Sequence, residues 1–168
     1  MIRVLVTGMS GTGKSTVLAE LARRGHSVID ADHGWAVEVA SPDGSGAEQL
    51  WREDRIAALL AEDGAGYLFV AGCAANQVKF YDRFDAVVLL SAPLDVLVER
   101  IATRTTNRFG KDPAERERIL EDVRAVEPLL RAAATIEVTT DQPLPDVVDA
   151  VETAAADASR RTSHRGRG

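Results

Sequence analysis

Cys73 is the only cysteine among the 168 residues, so neither an intramolecular disulfide nor a multi-cysteine metal site can form. That scarcity suits a reducing compartment and favours a cytoplasmic location. No apolar run approaches the roughly 20 residues that span a bilayer, which argues against a membrane role. The opening Met1–Val6 is too short for a signal-peptide core and runs straight into glycines, so it reads as a buried strand. A net charge of −6 argues against broad nucleic-acid binding. His26 and His33 have no third ligand at metal spacing and read as loop residues. With no internal repeat and no interdomain linker, the chain is expected to be one domain.

What is present is an alternation of short apolar, β-branched runs with longer helical patterns. It predicts an α/β fold of βαβ units, with a parallel sheet covered by helices on both faces. Strands are expected near Arg3–Val6, Ser27–Ile29, Tyr67–Ala71, Ala86–Leu90 and Thr135–Val138. Helices are expected near Gly13–Arg23, Ala47–Ala61, Leu94–Arg104, Pro113–Ala132 and Pro145–Ala156. Pro93, Pro113 and Pro145 suit helix starts, whereas Pro128 should kink or end a helix. Residues 41–46, rich in Gly, Ser and Pro, read as a mobile loop. The domain is expected to occupy residues 1–156. Residues 157–168 then form a disordered tail, because Ser159–Gly168 carries four arginines and no large apolar side chain. The functional alternative for that tail is an RNA- or acid-seeking arm.

Gly8-Met9-Ser10-Gly11-Thr12-Gly13-Lys14-Ser15 matches G-x-x-x-x-G-K-[ST] in full, between an expected strand and an expected helix. Glycines let backbone N–H groups turn inward around a phosphate, and the helix start adds its positive end. Gly8, Ser10, Gly11, Thr12, Gly13, Lys14, Ser15 and Thr16 are therefore the candidate nucleotide cradle. Lys14 would bridge the β- and γ-phosphates of ATP, and the Ser15 hydroxyl would ligate Mg²⁺.

The second strand ends in Asp30-Ala31-Asp32, at the same sheet edge as the cradle. Asp30 could hold a water on Mg²⁺ while Asp32 accepts the proton of an attacking hydroxyl. The alternative is that these aspartates cap the next helix.

Here the chain resembles the shikimate-kinase and gluconate-kinase branch of the small P-loop kinases, within the AAA-type P-loop ATP-binding proteins. The D-x-D after the second strand of that branch looks like Asp30-Ala31-Asp32. Its Phe-Arg pair opening an acceptor helix is similar to Trp51-Arg52, and its Gly-Gly-Gly turn resembles Ala71-Gly72-Cys73. Only one of those three glycines is kept, and Val126-Glu127-Pro128-Leu129 lacks the Arg before the Pro-Leu-Tyr segment of shikimate kinases, which removes a carboxylate clamp. A second resemblance is to atypical adenylate kinases of the nuclear type, through Glu53-Asp54-Arg55 and Gly72-Cys73. The Asp and His that precede Gly-Cys in those kinases are Phe69 and Ala71 here.

The resemblance implies a three-layer P-loop fold with five parallel strands in the order 2-3-1-4-5 and a short lid at about 104–112. Arg104 and Arg108 are the expected catalytic cations of that lid, with Lys111 beside them and Arg100 packing on the adenine side. Arg52, Arg55, Gly72 and Cys73, with Asp32, are the expected acceptor contacts. Thr139–Leu144 should border the adenine.

The function expected is transfer of the γ-phosphoryl group of ATP, with Mg²⁺, to a hydroxyl of a small polar molecule by a monomer or homodimer. Nucleic acid is not an expected partner. The alternatives are a nucleoside-monophosphate kinase and a nucleotide-binding or ATP-hydrolysing regulator.

Overall fold

Alternation along the first strand sets the layers. In β1 (Ile2–Thr7), Val4 and Val6 face one core and Leu5 faces another, and all three are fully buried. Such a strand, apolar on both sides, belongs in the middle of a parallel sheet. The computed structural model describes residues 1–41, 47–103 and 112–165. Its main sheet has five parallel strands in the order β2 (Ser27–Asp30), β5 (Tyr67–Ala71), β1, β6 (Ala86–Ser91) and β7 (Ile136–Thr139). Counted within this sheet alone, the order is the expected 2-3-1-4-5.

One face is covered by α1 (Lys14–Arg23) and α5 (Leu144–Arg165). Val17, Leu18 and Leu21 of α1 and Val147, Val148 and Val151 of α5 pack with Val4, Val6, Phe69, Val88 and Leu90. Burying each such side chain contributes about 1.5–3 kcal/mol. The other face meets α2 (Glu53–Ala61), through Ile56, Leu59 and Leu60 against Leu5, Leu68 and Val70. Leu97 and Ile101 of α3 (Leu94–Thr103) and Val123 and Leu130 of α4 (Pro113–Ala133) pack with Leu89. Helix α1 stops in a Schellman turn: Gly25 has φ 91°, its N–H donates to Ala22 O, and the His26 N–H donates to Leu21 O.

Three expectations change. Ala47–Trp51 is not the start of α2 but a strand, β4, paired antiparallel with β3 (Ala36–Ala40). Ala-Glu-Gln-Leu carries no β signal of its own, and the partner's Val37 and Val39 supply the pairing edge. Asn76 fixes the end of the hairpin, its Oδ1 accepting the Trp51 N–H at 2.8 Å and its Nδ2 donating to Trp51 O at 3.0 Å. Of the two outcomes expected at Pro128, a kink or an end, the end does not occur: Pro128 lies inside α4. Helix α5 runs on to Arg165, with Ala158 buried in the core, so residues 157–165 are a helix end rather than a disordered tail. Alanine's high helix propensity carries the helix past 156, and Thr162 and Ser163 bond back to the carbonyls of Ala158 and Ser159. The stretch expected to loop lies, apart from Ser41, outside the described residues. Among the described residues no helix is long and apolar enough to cross a membrane.

Candidate active site

Parallel strands bring every loop that follows them to one edge. The loops after β1, β2, β5 and β7 therefore converge on a single cleft of about 1970 Å³. Ser10, Gly11, Thr12, Gly13, Lys14, Ser15 and Thr16 line it together with Asp30, Asp32 and Cys73.

The loop after β1 needs glycine for steric reasons. At Gly8, φ is 153° and a Cβ would lie 2.3 Å from the Leu90 carbonyl oxygen. Gly13, at φ 93°, caps α1 with no side-chain hydrogen bond, and the first turn of α1 carries no acid. The helix's leading N–H groups are thus left for an anion. Lys14 Nζ donates to Gly8 O at 2.7 Å and Met9 O at 3.3 Å, so its ammonium sits over the loop on carbonyl oxygens. Thr12 ties the loop, its hydroxyl donating to Met9 O at 2.8 Å.

The Asp30 and Asp32 carboxylates divide their roles. Asp30 holds the turn, with Oδ1 accepting the Asp32 N–H at 3.1 Å and Oδ2 lying 2.9 Å from His33 Nδ1. The alternative that these aspartates cap a helix does not hold, because the element after β2 is the strand β3 and Asp30 holds the turn into it. Asp32 reaches across to the β5 loop, where its Oδ1 accepts the Cys73 N–H at 3.0 Å. Burial raises the Asp32 pKa above the ordinary carboxylate range, with Lys14 opposing and Asp30 reinforcing the shift. Burial also raises the Cys73 thiol pKa, which keeps the sulfur protonated.

Gly72 is required by the same contact. A Cβ there would meet Asp32 Oδ1 at 2.8 Å and the Trp51 ring at 3.0 Å. On the far side, Arg100 grips the loop after β7, donating to Thr140 Oγ1 at 2.8 Å and Thr140 O at 2.5 Å. Val126, Leu129 and Leu130 of α4 give the cleft an apolar part of its lining, to which Thr140 and Gln142 also belong.

Two expected acceptor contacts are not brought in. Arg55 donates to Gly34 O at 2.6 Å and lies 4.4 Å over the Trp35 ring, while Arg52 is an exposed residue at the start of α2. Neither lines the cleft. Arg104, Arg108 and Lys111 lie outside the described residues. Conversely, sequence reasoning missed Glu38 and Glu48 of the hairpin, which line the cleft, and Gln77, whose Oε1 accepts the Thr7 hydroxyl at 3.2 Å. The alternation Val37-Glu38-Val39 was the available signal for the hairpin; nothing in the sequence marked Gln77.

Mg²⁺ fits this donor set. It keeps most of its waters and takes one or two protein oxygens, and Ser15 and Asp30 both line the cleft beside the cradle. Among the described residues there is no cluster of three metal-ligating side chains.

A glycine cradle at the head of α1, on the carboxyl edge of a 2-3-1-4-5 sheet, defines a P-loop protein of the α/β class. Residues 4–121 match the AAA domain family, and the chain belongs to it. Its structure is similar to a shikimate kinase from Acinetobacter baumannii in complex with shikimate, at 22% identity and TM-score 0.60, covering 91% of this chain and 90% of that one. A shikimate kinase from Bacteroides thetaiotaomicron gives 18% identity and TM-score 0.61, covering 90% and 97%. A gluconokinase from Sinorhizobium meliloti 1021 gives 24% identity and TM-score 0.57, covering 98% and 97%. These likenesses establish the fold of the small P-loop kinases. No curated protein matches the sequence.

Proposed function

We propose that this chain is an ATP- and Mg²⁺-dependent phosphotransferase that acts in the cytoplasm on a hydroxyl of a small polar molecule. The observation that carries the reading is Asp32: a partly buried carboxylate of raised proton affinity, in the same cleft as Lys14 and fixed by the Cys73 N–H. An alcohol attacks phosphorus only as its proton leaves, and a carboxylate with raised pKa is the better acceptor of that proton. The shikimate kinases and gluconokinase among the similar structures are consistent with it.

In this reading Gly8–Thr16 cradle the phosphates and Lys14 moves from its carbonyl partners to the β- and γ-oxygens. Ser15 and Asp30 hold Mg²⁺, directly or through water, and the ion supplies charge neutralisation on the phosphates. Arg104 and Arg108 bring further positive charge to the transferring group, and Arg100 with Thr140 borders the base.

The test is a screen of sugars, polyols, acids, amines, nucleosides and nucleotides for stimulated ADP release, followed by identification of the phosphorylated product. ADP release that no acceptor stimulates, from protein that binds an ATP analogue, would point to the regulator alternative.

A further inference from the structure

The loop after β5 holds two side chains on consecutive backbone N–H groups. The Cys73 N–H donates to Asp32 Oδ1 at 3.0 Å, and the Ala74 N–H donates to Gln77 Oε1 at 3.4 Å. The carboxylate and the carboxamide are therefore anchored one residue apart on the same turn, and Asp32 and Gln77 both line the cleft. Gln77 is only 3% exposed, so its amide must find partners inside the protein. Its Oε1 also accepts the hydroxyl of Thr7, the last residue of β1, at 3.2 Å. A backbone N–H can only donate, so the Ala74 contact sets which way the amide faces: Oε1 toward the loop and Nε2 toward Tyr81. Nε2 then donates to the Tyr81 hydroxyl oxygen at 2.9 Å.

Tyr81 accepts from Gln77 and so keeps its own proton for another partner. It lines the cleft, and its ring packs against the core cluster that α2 forms with the sheet. Burial raises the Tyr81 pKa, with the Gln77 N–H opposing, so at neutral pH the hydroxyl remains a donor. Among the described residues no acceptor takes that proton. A ring fixed by packing and a hydroxyl fixed by a buried amide make a donor that is already in place, so a partner gains the hydrogen bond without the cost of ordering it. The nucleotide cradle and the proton transfer to Asp32 leave this chain of three side chains unused.

We infer that Tyr81 binds the phosphoryl acceptor: its hydroxyl, held by Gln77, donates a hydrogen bond to an oxygen of the acceptor other than the one that attacks phosphorus. This rests on the phosphotransferase reading above. Gln77 is a positioning residue that acts through Tyr81, and Thr7 and Ala74 in turn hold Gln77. Because Asp32 and Gln77 hang from neighbouring N–H groups, one small molecule meets the base with its attacking hydroxyl and Tyr81 with a second oxygen.

The experiment measures labelled phosphate transfer to a panel of sugars, polyols, hydroxy acids, amino alcohols and nucleosides. It then takes the best-used member, with analogues each lacking one non-reacting oxygen, to Tyr81→Phe, Gln77→Met and the double variant, after circular dichroism has shown them folded. Tyr81→Phe is expected to raise the KM for the acceptor by roughly three- to tenfold, the size of one hydrogen bond between neutral groups, and to leave the KM for ATP unchanged. Against one of the analogues, wild type and Tyr81→Phe should perform alike, because the bond is already missing. Gln77→Met should raise the acceptor KM as well, and the double variant should do no worse than Tyr81→Phe alone. An acceptor KM within twofold of wild type in Tyr81→Phe, an equal rise in the KM for ATP, or full additivity with every analogue overturns the inference and leaves the phosphotransferase reading standing. Should Gln77→Met not fold, Tyr81→Phe and the analogues decide the matter by themselves. Absence of transfer to any member, from protein that binds an ATP analogue, overturns both.

Discussion

Asp32 and Lys14 are where two opposite costs meet. Burial makes the Asp32 charge expensive, and the Lys14 ammonium offsets only part of that cost. The sign for stability follows: with a folded-state pKa above the unfolded one, Asp32 favours the folded state only while protonated. That contribution is present below the ordinary carboxylate pKa and lost as pH rises through the raised value. Asp32→Asn, which keeps an acceptor for the Cys73 N–H, is therefore expected to melt higher than the wild type at pH 7.5. The gap should close as pH falls and Asp32 takes up its proton, which thermal melts across pH 4–8 would reveal. The same substitution removes the proposed base, so kcat should drop by roughly 10²–10⁴-fold, with a smaller change in the KM for ATP. Equal melting at all pH values would contradict the buried charge. Lys14→Ala should weaken binding of an ATP analogue, measured by calorimetric titration, while circular dichroism stays unchanged, because Lys14 reaches only loop carbonyls.

At the scale of elements, the hairpin and β5 meet at Gly72, with the Trp51 ring on one side and the Asp32 carboxyl on another. Gly72→Ala places a methyl group inside both contacts, and backbone or ring must give way. The expected cost is about 1–3 kcal/mol of stability, typical of overpacking. Because the displaced group is Asp32, kcat should fall while affinity for an ATP analogue holds; equal losses in both would mean that the cradle had moved as well. This corner also divides what could be read in advance from what could not. The cradle was legible because its phosphate chemistry is local: eight consecutive residues carry the glycines, the lysine and the hydroxyl. Among the five main strands, β1, β5 and β6 were legible because two-sided burial leaves apolar runs, and the more exposed β2 and β7 through their β-branched residues. The hairpin was not, since Ala47–Trp51 is a strand only through long-range ties to β3 and Asn76. Arg52 and Arg55 were misplaced for the same reason: a helix expected six residues too early puts its arginines at the wrong edge.

For the molecule as a whole, α5 is the layer that closes one face. It packs Val147, Val148, Val151, Ala154, Ala155 and Ala158 onto β1, β6 and α1, and Glu152 joins it to α1 through Arg24 at 2.7 Å and His26 at 2.7 Å. After Ala158 the described side chains contribute nothing further to that core, and Arg161, Thr162, Ser163 and His164 are exposed. The arginines at this end then act as cations at a helix C-terminus, where the helix dipole favours them. Stability should consequently depend on where the chain is cut rather than on how much is removed. Ending the chain at Arg160 removes only exposed or weakly packed groups and is expected to lower the melting temperature by no more than about 2 °C. Ending it at Thr153 removes three buried alanines, each worth about 0.8 kcal/mol of methyl burial, together with the helical turns that carry them. A loss of roughly 2–3 kcal/mol should lower the melting temperature by about 5–10 °C in a domain of this size. Both cuts leave the cradle, on the opposite end of α1 from the Arg24 and His26 ties, able to bind an ATP analogue below the melting point. A fall of the larger size on cutting at Arg160 would mean that the basic helix end packs against the domain, contrary to its exposure.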